Sequence, residues 1–262
     1  MKAPHWIETG RGERVLVFLH GISGGAAGAL DILPLLTPPG WRGLAWDMPG
    51  YGKSRQVEPV NFDSFAGALV DLFDAAGLEQ AVLVGHSMGG MIALQAAVRF
   101  PERISGLVLA CCTPAFGAPA GPLQQAFLAR RLGPLDEGAT MRELAVELIP
   151  TMVGPGAAPV VVCDAVDLMG RIAPASYRAA MHALLGFDQR AALPGLALPA
   201  LVLAGRHDGV AAPAVLRRMA ASLPAATYLE IDAGHLLPYE EPAAFAAAVR
   251  EFLAGLDCMS VM

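Results

Sequence analysis

The sequence is poor in charged residues, and those that it has are weighted toward the acidic side. Asp, Glu, Lys and Arg make up 16% of the 262 residues, hydrophobic residues make up 55%, and the formal net charge is −6. A chain with so few charges can bury a large core, which excludes a mainly disordered protein. The lack of excess positive charge argues against nucleic-acid binding, which requires neutralisation of phosphates. We therefore expect a globular protein with a small-molecule partner.

The sequence also lacks signals for membranes, metals and cofactors. Residues 80–98 and 104–129 contain no Asp, Glu, Lys or Arg, but glycines interrupt the first stretch and prolines the second, so neither is a candidate membrane span. The amino-terminal residues show no apolar core of a signal peptide. Among the four cysteines there is no C-x-x-C pair, and no H-E-x-x-H occurs. We expect no metal, no cofactor, buried free thiols and a cytoplasmic location.

Short apolar runs alternate with helical patterns along most of the chain. Most of the runs are continuously apolar, which is typical of strands covered on both faces of a parallel sheet. Gly77 suits the end of a helix between the second and third runs, Pro213 and Pro242 suit first-turn positions, and Gly255 suits the end of the last helix. The alternation predicts an α/β fold. The strand candidates are residues 15–19, 43–46, 81–84, 107–110, 200–204 and 227–231.

One region breaks this alternation. Residues 113–189 contain no convincing strand, but they contain four helix-like stretches punctuated by proline and glycine. We interpret this region as an all-helical cap inserted between two strands of the sheet, with residues 1–112 and 190–262 forming the core. The alternative is a helical stretch that continues the core. The four helix-like stretches are residues 123–132, 141–149, 160–172 and 176–185.

The strongest chemical signal is the G-x-S-x-G pentapeptide centred on Ser87. It follows one predicted strand and opens a predicted helix, which is the context that this motif requires. A strand that turns directly into a helix forces its middle residue into strained geometry, and side chains two positions away would collide, so glycines are needed there. The turn would raise the Ser87 hydroxyl above the sheet edge at a helix amino terminus. We predict that Ser87 is a catalytic nucleophile.

A serine hydroxyl needs a base and an orienting carboxylate, and both must come from elsewhere in the chain. His235 lies just after the last predicted strand, and Asp208 follows the strand before it. Loops at the carboxyl ends of parallel strands meet at one edge of the sheet. The order Ser87, Asp208, His235 is the one expected for this class of triad. Asp232 is a rival acid, whereas the loop after the 107–110 strand offers none, because it reads Cys-Cys-Thr.

Two N–H donors should hold the oxyanion that forms when the serine attacks a carbonyl group. One is expected from Met88, the residue after the nucleophile. The other is expected from Ile22, in the loop after the first predicted strand. Gly21 would let the backbone of that loop approach the substrate. Losing one such donor typically costs about 3 kcal/mol of transition-state stabilisation.

Several of these segments together resemble the capped α/β-hydrolase family. The resemblance runs from about residue 15 to residue 253 and leaves the cap poorly matched. It implies a mostly parallel sheet with helices on both faces, and an all-helical cap between the sixth and seventh strands. It also implies a serine triad that acts without a cofactor. The segments are His20-Gly21, Asp47-Met48-Pro49-Gly50-Tyr51-Gly52-Lys53-Ser54, Gly85-His86-Ser87-Met88-Gly89-Gly90, Pro101-Glu102-Arg103, Gly205-Arg206-His207-Asp208 and Gly234-His235.

The substrate class is less well defined by the sequence. The apolar cap favours a small to medium, partly apolar ester or lactone as the substrate. We expect Gly21, His86 and Leu236 to lie beside this substrate. We expect the protein to be a monomer or a homodimer. Arg178 or Arg190 could bind a carboxylate, although structural roles are the alternative. Relatives that cleave carbon–carbon bonds of ring-fission products typically carry Asn and Trp where this chain has His86 and Leu236. Such a hydrolase, a slow-turnover ligand receptor, and a lyase or perhydrolase on the same fold remain alternatives.

Overall fold

The computed structural model describes residues 3–117 and 121–259, and within them the side chains up to residue 256. One sheet of seven strands runs through the molecule in the order β1-β3-β2-β4-β5-β6-β7. The first strand is antiparallel to the third, and the other neighbouring strands are parallel. All six predicted strands are present. The strands are β1 (Trp6–Gly10), β2 (Arg14–Leu19), β3 (Trp41–Trp46), β4 (Ala81–His86), β5 (Ile104–Ala110), β6 (Ala200–Gly205) and β7 (Ala226–Ile231).

Strand β1 is the one that the sequence did not reveal. Its residues, WIETG, are partly buried or exposed, because it lies at the edge of the sheet and pairs only with β3. The helical insertion follows β5 and precedes β6. The expectation that it would lie between the sixth and seventh strands is therefore wrong for this chain. In the described residues a single edge strand precedes β2, so the insertion has five strands before it rather than six.

Helices cover both faces of the sheet, as the resemblance implied. Alternate residues of β2 point to opposite faces: Leu16 and Phe18 pack with α1 and α10, whereas Val17 and Leu19 pack with α2, α3 and α8. This alternation follows from the two-residue period of a strand. The helices of the core are α1 (Ile32–Leu36), α2 (Phe62–Ala76), α3 (Met88–Arg99), α8 (Pro213–Ser222), α9 (Leu237–Glu240) and α10 (Pro242–Met259).

Most of the predicted helix ends agree with the structure. Gly77 ends α2 in the left-handed conformation with φ of 70°, and α8 and α10 begin at Pro213 and Pro242. Gly255, however, does not end the last helix, which continues to Met259. The apolar stripe of α10 extends beyond this glycine, because Leu256 packs against the core beside β5.

The insertion between β5 and β6 contains four α-helices in the described residues. Its two ends run side by side: the N–H of Phe116 donates to the carbonyl of Phe187 at 3.0 Å, and the N–H of Gln189 donates to the carbonyl of Pro114 at 2.8 Å. The helices belong to the same apolar cluster as α2, α3 and α8. They are α4 (Pro122–Asp136), α5 (Met141–Leu148), α6 (Pro159–Gly170) and α7 (Pro174–Ala183).

The cysteines only partly match the expectation of buried thiols. Cys111 and Cys112, which follow β5, are buried and free, whereas Cys163 on α6 is exposed. The side chain of Cys258 lies outside the described residues. In the part of the chain that the structure describes, no helix combines the length and the apolar character needed to cross a membrane.

Candidate active site

Ser87 occupies a strained turn between β4 and α3. Its φ and ψ angles are 53° and −121°, and φ in this range is uncommon for any residue other than glycine. A Cβ atom at Gly89 would lie 2.0 Å from the carbonyl oxygen of Leu19, and one at Gly85 would lie 2.5 Å from the Cα atom of Gly90. The two glycines of the pentapeptide are therefore required by space.

The structure brings His235 and Asp208 to Ser87. The Nε2 atom of His235 lies 2.9 Å from the Ser87 hydroxyl oxygen. Its Nδ1 atom lies 2.8 Å from Oδ2 of Asp208. The three side chains come from the loops after β4, β6 and β7, so the carboxyl ends of parallel strands place them at one edge of the sheet. They form a continuous hydrogen-bonded chain, here called the Ser-His-Asp chain.

Asp208 is buried, and its second oxygen is also bound. Oδ1 accepts hydrogen bonds from the N–H groups of Val210 at 2.7 Å and Ala211 at 2.9 Å. Burial alone would raise the pKa of Asp208, but His235 and the two backbone donors outweigh it and hold the pKa below its usual value. The carboxylate is thus ionised and fixed in orientation toward the imidazole.

The rival carboxylate, Asp232, is engaged elsewhere. It is exposed and lies 2.8 Å from Nε2 of His207 and 3.3 Å from a guanidinium nitrogen of Arg206. Asp208, rather than Asp232, contacts the ring of His235.

Cys111 lies beside the Ser-His-Asp chain and raises the question of a metal site. Candidate ligand atoms of Cys111, Asp208 and His235 lie within 4.8 Å of one another. Burial raises the pKa of the Cys111 thiol well above its usual value, so the thiol keeps its proton in this setting. The thiol donates weakly to the carbonyl of Gly234 at 3.9 Å, and both ring nitrogens of His235 already have partners. These donors fit a hydrogen-bonded arrangement better than a metal.

The loop after β2 lies against Ser87, where the second oxyanion donor was expected. A Cβ atom at Gly21 would lie 3.2 Å from Cβ of Ser87, so glycine permits this close approach. His20 holds the loop: its Nδ1–H donates to the carbonyl of Gly21 at 2.7 Å, and its Nε2 accepts from the N–H of Met48 at 3.0 Å. Ile22 lies in this loop and lines the cavity above Ser87.

Met88, the other expected donor, is the first residue of α3. The N–H groups in the first turn of a helix have no partner within the helix, so they are available to a bound anion. Its side chain is buried in the apolar cluster below the site.

His86 and Leu236, predicted to contact substrate, both line the cavity. The Nε2–H of His86 donates to the carbonyl of His235 at 2.7 Å, so this ring also supports the backbone of the His235 loop. Burial is the main cause that lowers the pKa of His86 to about 3, and His235 adds to it. His86 is therefore neutral, and its buried Nδ1 atom has no hydrogen-bond partner among the described residues.

A cavity of about 620 Å³ lies above Ser87, between the core and the insertion. Its inner walls are mainly apolar, while exposed acidic side chains and Arg171 border it on the side of α1 and α6. Arg178 and Arg190 do not line it and instead pair with Asp136 and Asp188. Apolar lining residues from the insertion are Ile149, Met152, Val160, Val161, Ala165 and Leu168. The acidic lining residues are Asp31 from the core and Asp164 and Asp167 from the insertion.

Comparison with known proteins identifies the family. A family model described as alpha/beta hydrolase fold matches residues 14–146, about half of the chain. The chain belongs to the α/β-hydrolase family. This α/β-hydrolase is 30% identical to a pimeloyl-[acyl-carrier protein] methyl ester esterase of Photobacterium profundum over 95% of this chain and 97% of that protein.

Two further relatives extend the comparison. Over 110 residues, the chain is 38% identical to a 2-hydroxy-6-oxononadienedioate/2-hydroxy-6-oxononatrienedioate hydrolase of Paraburkholderia phymatum, covering 40% of this chain and 38% of that protein. The crystal structure of the enol-lactonase from Burkholderia xenovorans LB400 superimposes with a TM-score of 0.86 at 26% identity, covering 95% of this chain and 96% of the other. The proteins to which this chain is similar thus include an esterase, a lactonase and a 2-hydroxy-6-oxononadienedioate/2-hydroxy-6-oxononatrienedioate hydrolase.

Sequence reasoning missed the contacts that the insertion makes with the His235 loop. The N–H of His235 donates to the carbonyl of Met152 at 2.7 Å. Met152 lies just after α5, in a part of the insertion that carries no recognisable motif. Such backbone contacts depend on how two distant segments pack, so neither local spacing nor residue type could have revealed them.

Proposed function

We propose that this α/β-hydrolase is a serine hydrolase that cleaves a small to medium, partly apolar carboxylic ester or lactone. The observation that carries the proposal is the Ser-His-Asp chain, with distances of 2.9 Å and 2.8 Å. These are hydrogen-bond distances at which an imidazole can take a proton from a hydroxyl group as that oxygen attacks. Ser87, His235 and Asp208 are the proposed catalytic residues.

The first half of the reaction forms an acyl-enzyme. His235 takes the proton of Ser87 as its oxygen attacks the substrate carbonyl, and Asp208 stabilises the imidazolium. The N–H groups of Ile22 and Met88 bind the resulting oxyanion. The tetrahedral intermediate then collapses, the bond to the leaving oxygen breaks, and His235 donates its proton to that oxygen. The alcohol departs, or remains attached as the open end of a lactone.

Water completes the reaction. His235 takes a proton from the water molecule as its oxygen attacks the acyl-enzyme, and the same donors bind the second oxyanion. The bond to the oxygen of Ser87 then breaks, and His235 returns the proton to it. The products are the free carboxylic acid and the alcohol, and no cofactor takes part.

The cavity supports the proposed substrate class. Its apolar walls suit a substrate with hydrocarbon parts, and its volume of about 620 Å³ suits a small to medium molecule. We assign residues 113–189 as the lid that closes this cavity, with Gly21, His86 and Leu236 beside the substrate. The names of the esterase and lactonase relatives point in the same direction. The proposed partner is therefore a small-molecule ester or lactone with apolar parts.

A second candidate is a hydrolase of ring-fission products. It is favoured by the relative from Paraburkholderia phymatum, which is 38% identical over 110 residues. Against it, this chain has His86 and Leu236 where such enzymes typically carry Asn and Trp. Assays with a ring-fission dienoate and with esters, run side by side, would separate the two activities.

The main test uses p-nitrophenyl esters and lactones with wild-type protein, Ser87→Ala and the control Ser64→Ala, which changes a serine on α2 that does not line the cavity. We expect sustained turnover by wild type and by the control. We expect kcat of Ser87→Ala to fall by about 10⁶-fold, as for loss of other catalytic serines. Near-normal rates in Ser87→Ala would refute the assignment. Stoichiometric capture of ligand without turnover would favour a receptor.

A further inference from the structure

Glu240, at the end of α9, contacts both the His235 loop and the helical insertion. Its Oε2 atom accepts one hydrogen bond from the N–H of Gly234 at 2.9 Å and another from the N–H of Gly154 at 2.7 Å. Gly234 directly precedes His235, whereas Gly154 belongs to the insertion. A carboxylate that accepts two N–H groups makes charge-assisted bonds, which are stronger than neutral ones. One oxygen atom therefore joins the two segments.

The two segments meet backbone to backbone. A Cβ atom at Gly234 would lie 2.3 Å from the nitrogen of Gly154, and one at Gly154 would lie 2.8 Å from the nitrogen of Gly234. Only residues without side chains allow this approach. The N–H of His235 also donates to the carbonyl of Met152 at 2.7 Å. Together with the two bonds of Glu240, this contact forms a three-bond junction between the insertion and the His235 loop.

On its other side, the same loop is held by the core. The carbonyl of His235 accepts from the Nε2–H of His86 at 2.7 Å. The carbonyl of Ala233 accepts from the N–H of His207 at 2.9 Å. The backbone of His235 is thus fixed between groups of the core and groups of the insertion.

Glu240 also carries a cost that a purely structural residue would not need. Its Oε1 atom is buried and has no hydrogen-bond partner among the described residues. An unpaired buried acceptor is destabilising, so a side chain chosen only for stability would be expected to avoid it. What Glu240 provides in return is the connection between the insertion and the loop that carries His235.

We propose that Glu240 is a positioning residue through which the helical insertion sets the position of His235 relative to Ser87. This proposal rests on the proposed serine-hydrolase function. It makes the insertion part of the catalytic geometry as well as a cover for the cavity. Glu240 touches neither the substrate nor the reacting atoms, and it acts through the backbone of Gly234 and His235.

The test compares three variants with wild type. Glu240→Ala removes the acceptor, Glu240→Gln keeps an acceptor oxygen for both N–H groups, and Glu241→Ala changes the neighbouring exposed carboxylate as a control. For an ester substrate we expect kcat of Glu240→Ala to fall by about 10-fold to 100-fold, as for small displacements of catalytic groups. We expect KM to change by less than about 2-fold, with Glu240→Gln recovering most of kcat and Glu241→Ala resembling wild type.

The rate at which a fluorophosphonate labels Ser87 gives a second readout, which needs no knowledge of the substrate. It depends on activation of the hydroxyl by His235, so it should fall in parallel with kcat in Glu240→Ala. Gly154→Ala perturbs the junction from the insertion, because its Cβ would lie 2.8 Å from the nitrogen of Gly234 and 3.2 Å from Oε2 of Glu240. It should lower both rates and keeps the test valid if Glu240→Ala does not fold.

Three results would overturn the proposal. The first is a folded Glu240→Ala with wild-type kcat and labelling rate. The second is a Gly154→Ala variant in which both rates are unchanged. The third is that Glu240→Ala and Glu240→Gln lose the same fraction of activity, and that this fraction equals the fraction of folded protein lost by circular dichroism. Failure of the proposed function is distinct, because the wild-type protein itself would then show no sustained turnover of esters, whichever residue occupies position 240.

Discussion

Replacing Asp208 by Asn tests how the carboxylate controls the imidazole of His235. In the wild-type protein, Oδ1 of Asp208 accepts from the N–H groups of Val210 and Ala211, and Oδ2 lies 2.8 Å from Nδ1 of His235. An Asn side chain has one acceptor oxygen and one NH2 group. Because two fixed backbone donors need the oxygen, the NH2 group is left facing the imidazole.

This arrangement forces the wrong tautomer on His235. An NH2 group donates, so Nδ1 must become the acceptor and the ring proton moves to Nε2. A protonated Nε2 cannot take the proton of Ser87, which lies 2.9 Å away. The corresponding change in other serine enzymes lowers kcat by about 10⁴-fold. That factor corresponds to about 5 kcal/mol of transition-state stabilisation.

The assay is hydrolysis of a p-nitrophenyl ester that wild-type protein turns over, with Asp232→Asn as the matched control. Asp232 is the rival carboxylate, exposed and paired with His207 and Arg206. We expect Asp208→Asn to lose about 10⁴-fold in kcat with its circular dichroism unchanged, and Asp232→Asn to stay within about 2-fold of wild type. Near-normal turnover by Asp208→Asn, or an equal loss in Asp232→Asn, would refute the assigned orientation.

Two further predictions concern stability. The pKa of His86 is about 3 in the folded protein and about 6.5 when unfolded, so the unfolded chain binds the extra proton and stability falls from pH 6.5 toward pH 3. In His86→Asn, the urea midpoint of unfolding should fall less steeply between pH 6.5 and pH 3 than in wild type. The control His182→Asn, which changes an exposed histidine, should keep the wild-type slope. An unchanged slope in His86→Asn would contradict the prediction. Gly205→Ala, whose Cβ would lie 2.0 Å from the carbonyl oxygen of Gly234, should destabilise by about 1–3 kcal/mol or more. At Gly67 in α2 an added Cβ would meet open space, so Gly67→Ala should stabilise the folded protein by about 0.5–1 kcal/mol. A thermal unfolding midpoint that is higher for Gly205→Ala than for Gly67→Ala would disprove the steric argument.

Much of the fold could be predicted because its signals are local. Continuous apolar runs mark most of the strands that are covered on both faces, and six of the seven strands were predicted. Strand β1 lacks that signal, because an edge strand that is partly exposed mixes polar and apolar residues. The prediction that the last helix ends at Gly255 was wrong for a related reason. Leu256 packs against the core, so the helix continues through a glycine, a residue that often ends a helix.

The proximity of Ser87, Asp208 and His235 could be predicted because parallel strands deliver their loops to one edge. The G-x-S-x-G motif located the first, and position after a strand located the other two. The role of Glu240 had no such signal. Its two acceptor bonds depend on the close approach of Gly154 and Gly234, which only the packed structure reveals.

The order in which the strands occur has a consequence for synthesis of the protein. His235 follows β7, the last strand of the sheet, and is separated from Ser87 by 148 positions along the chain. While the ribosome is still adding the final segment, the serine has already been made but has no base beside it. A half-made chain therefore carries only an ordinary alcohol at position 87, and the proposed nucleophile can be activated only once the carboxyl-terminal part has emerged and docked.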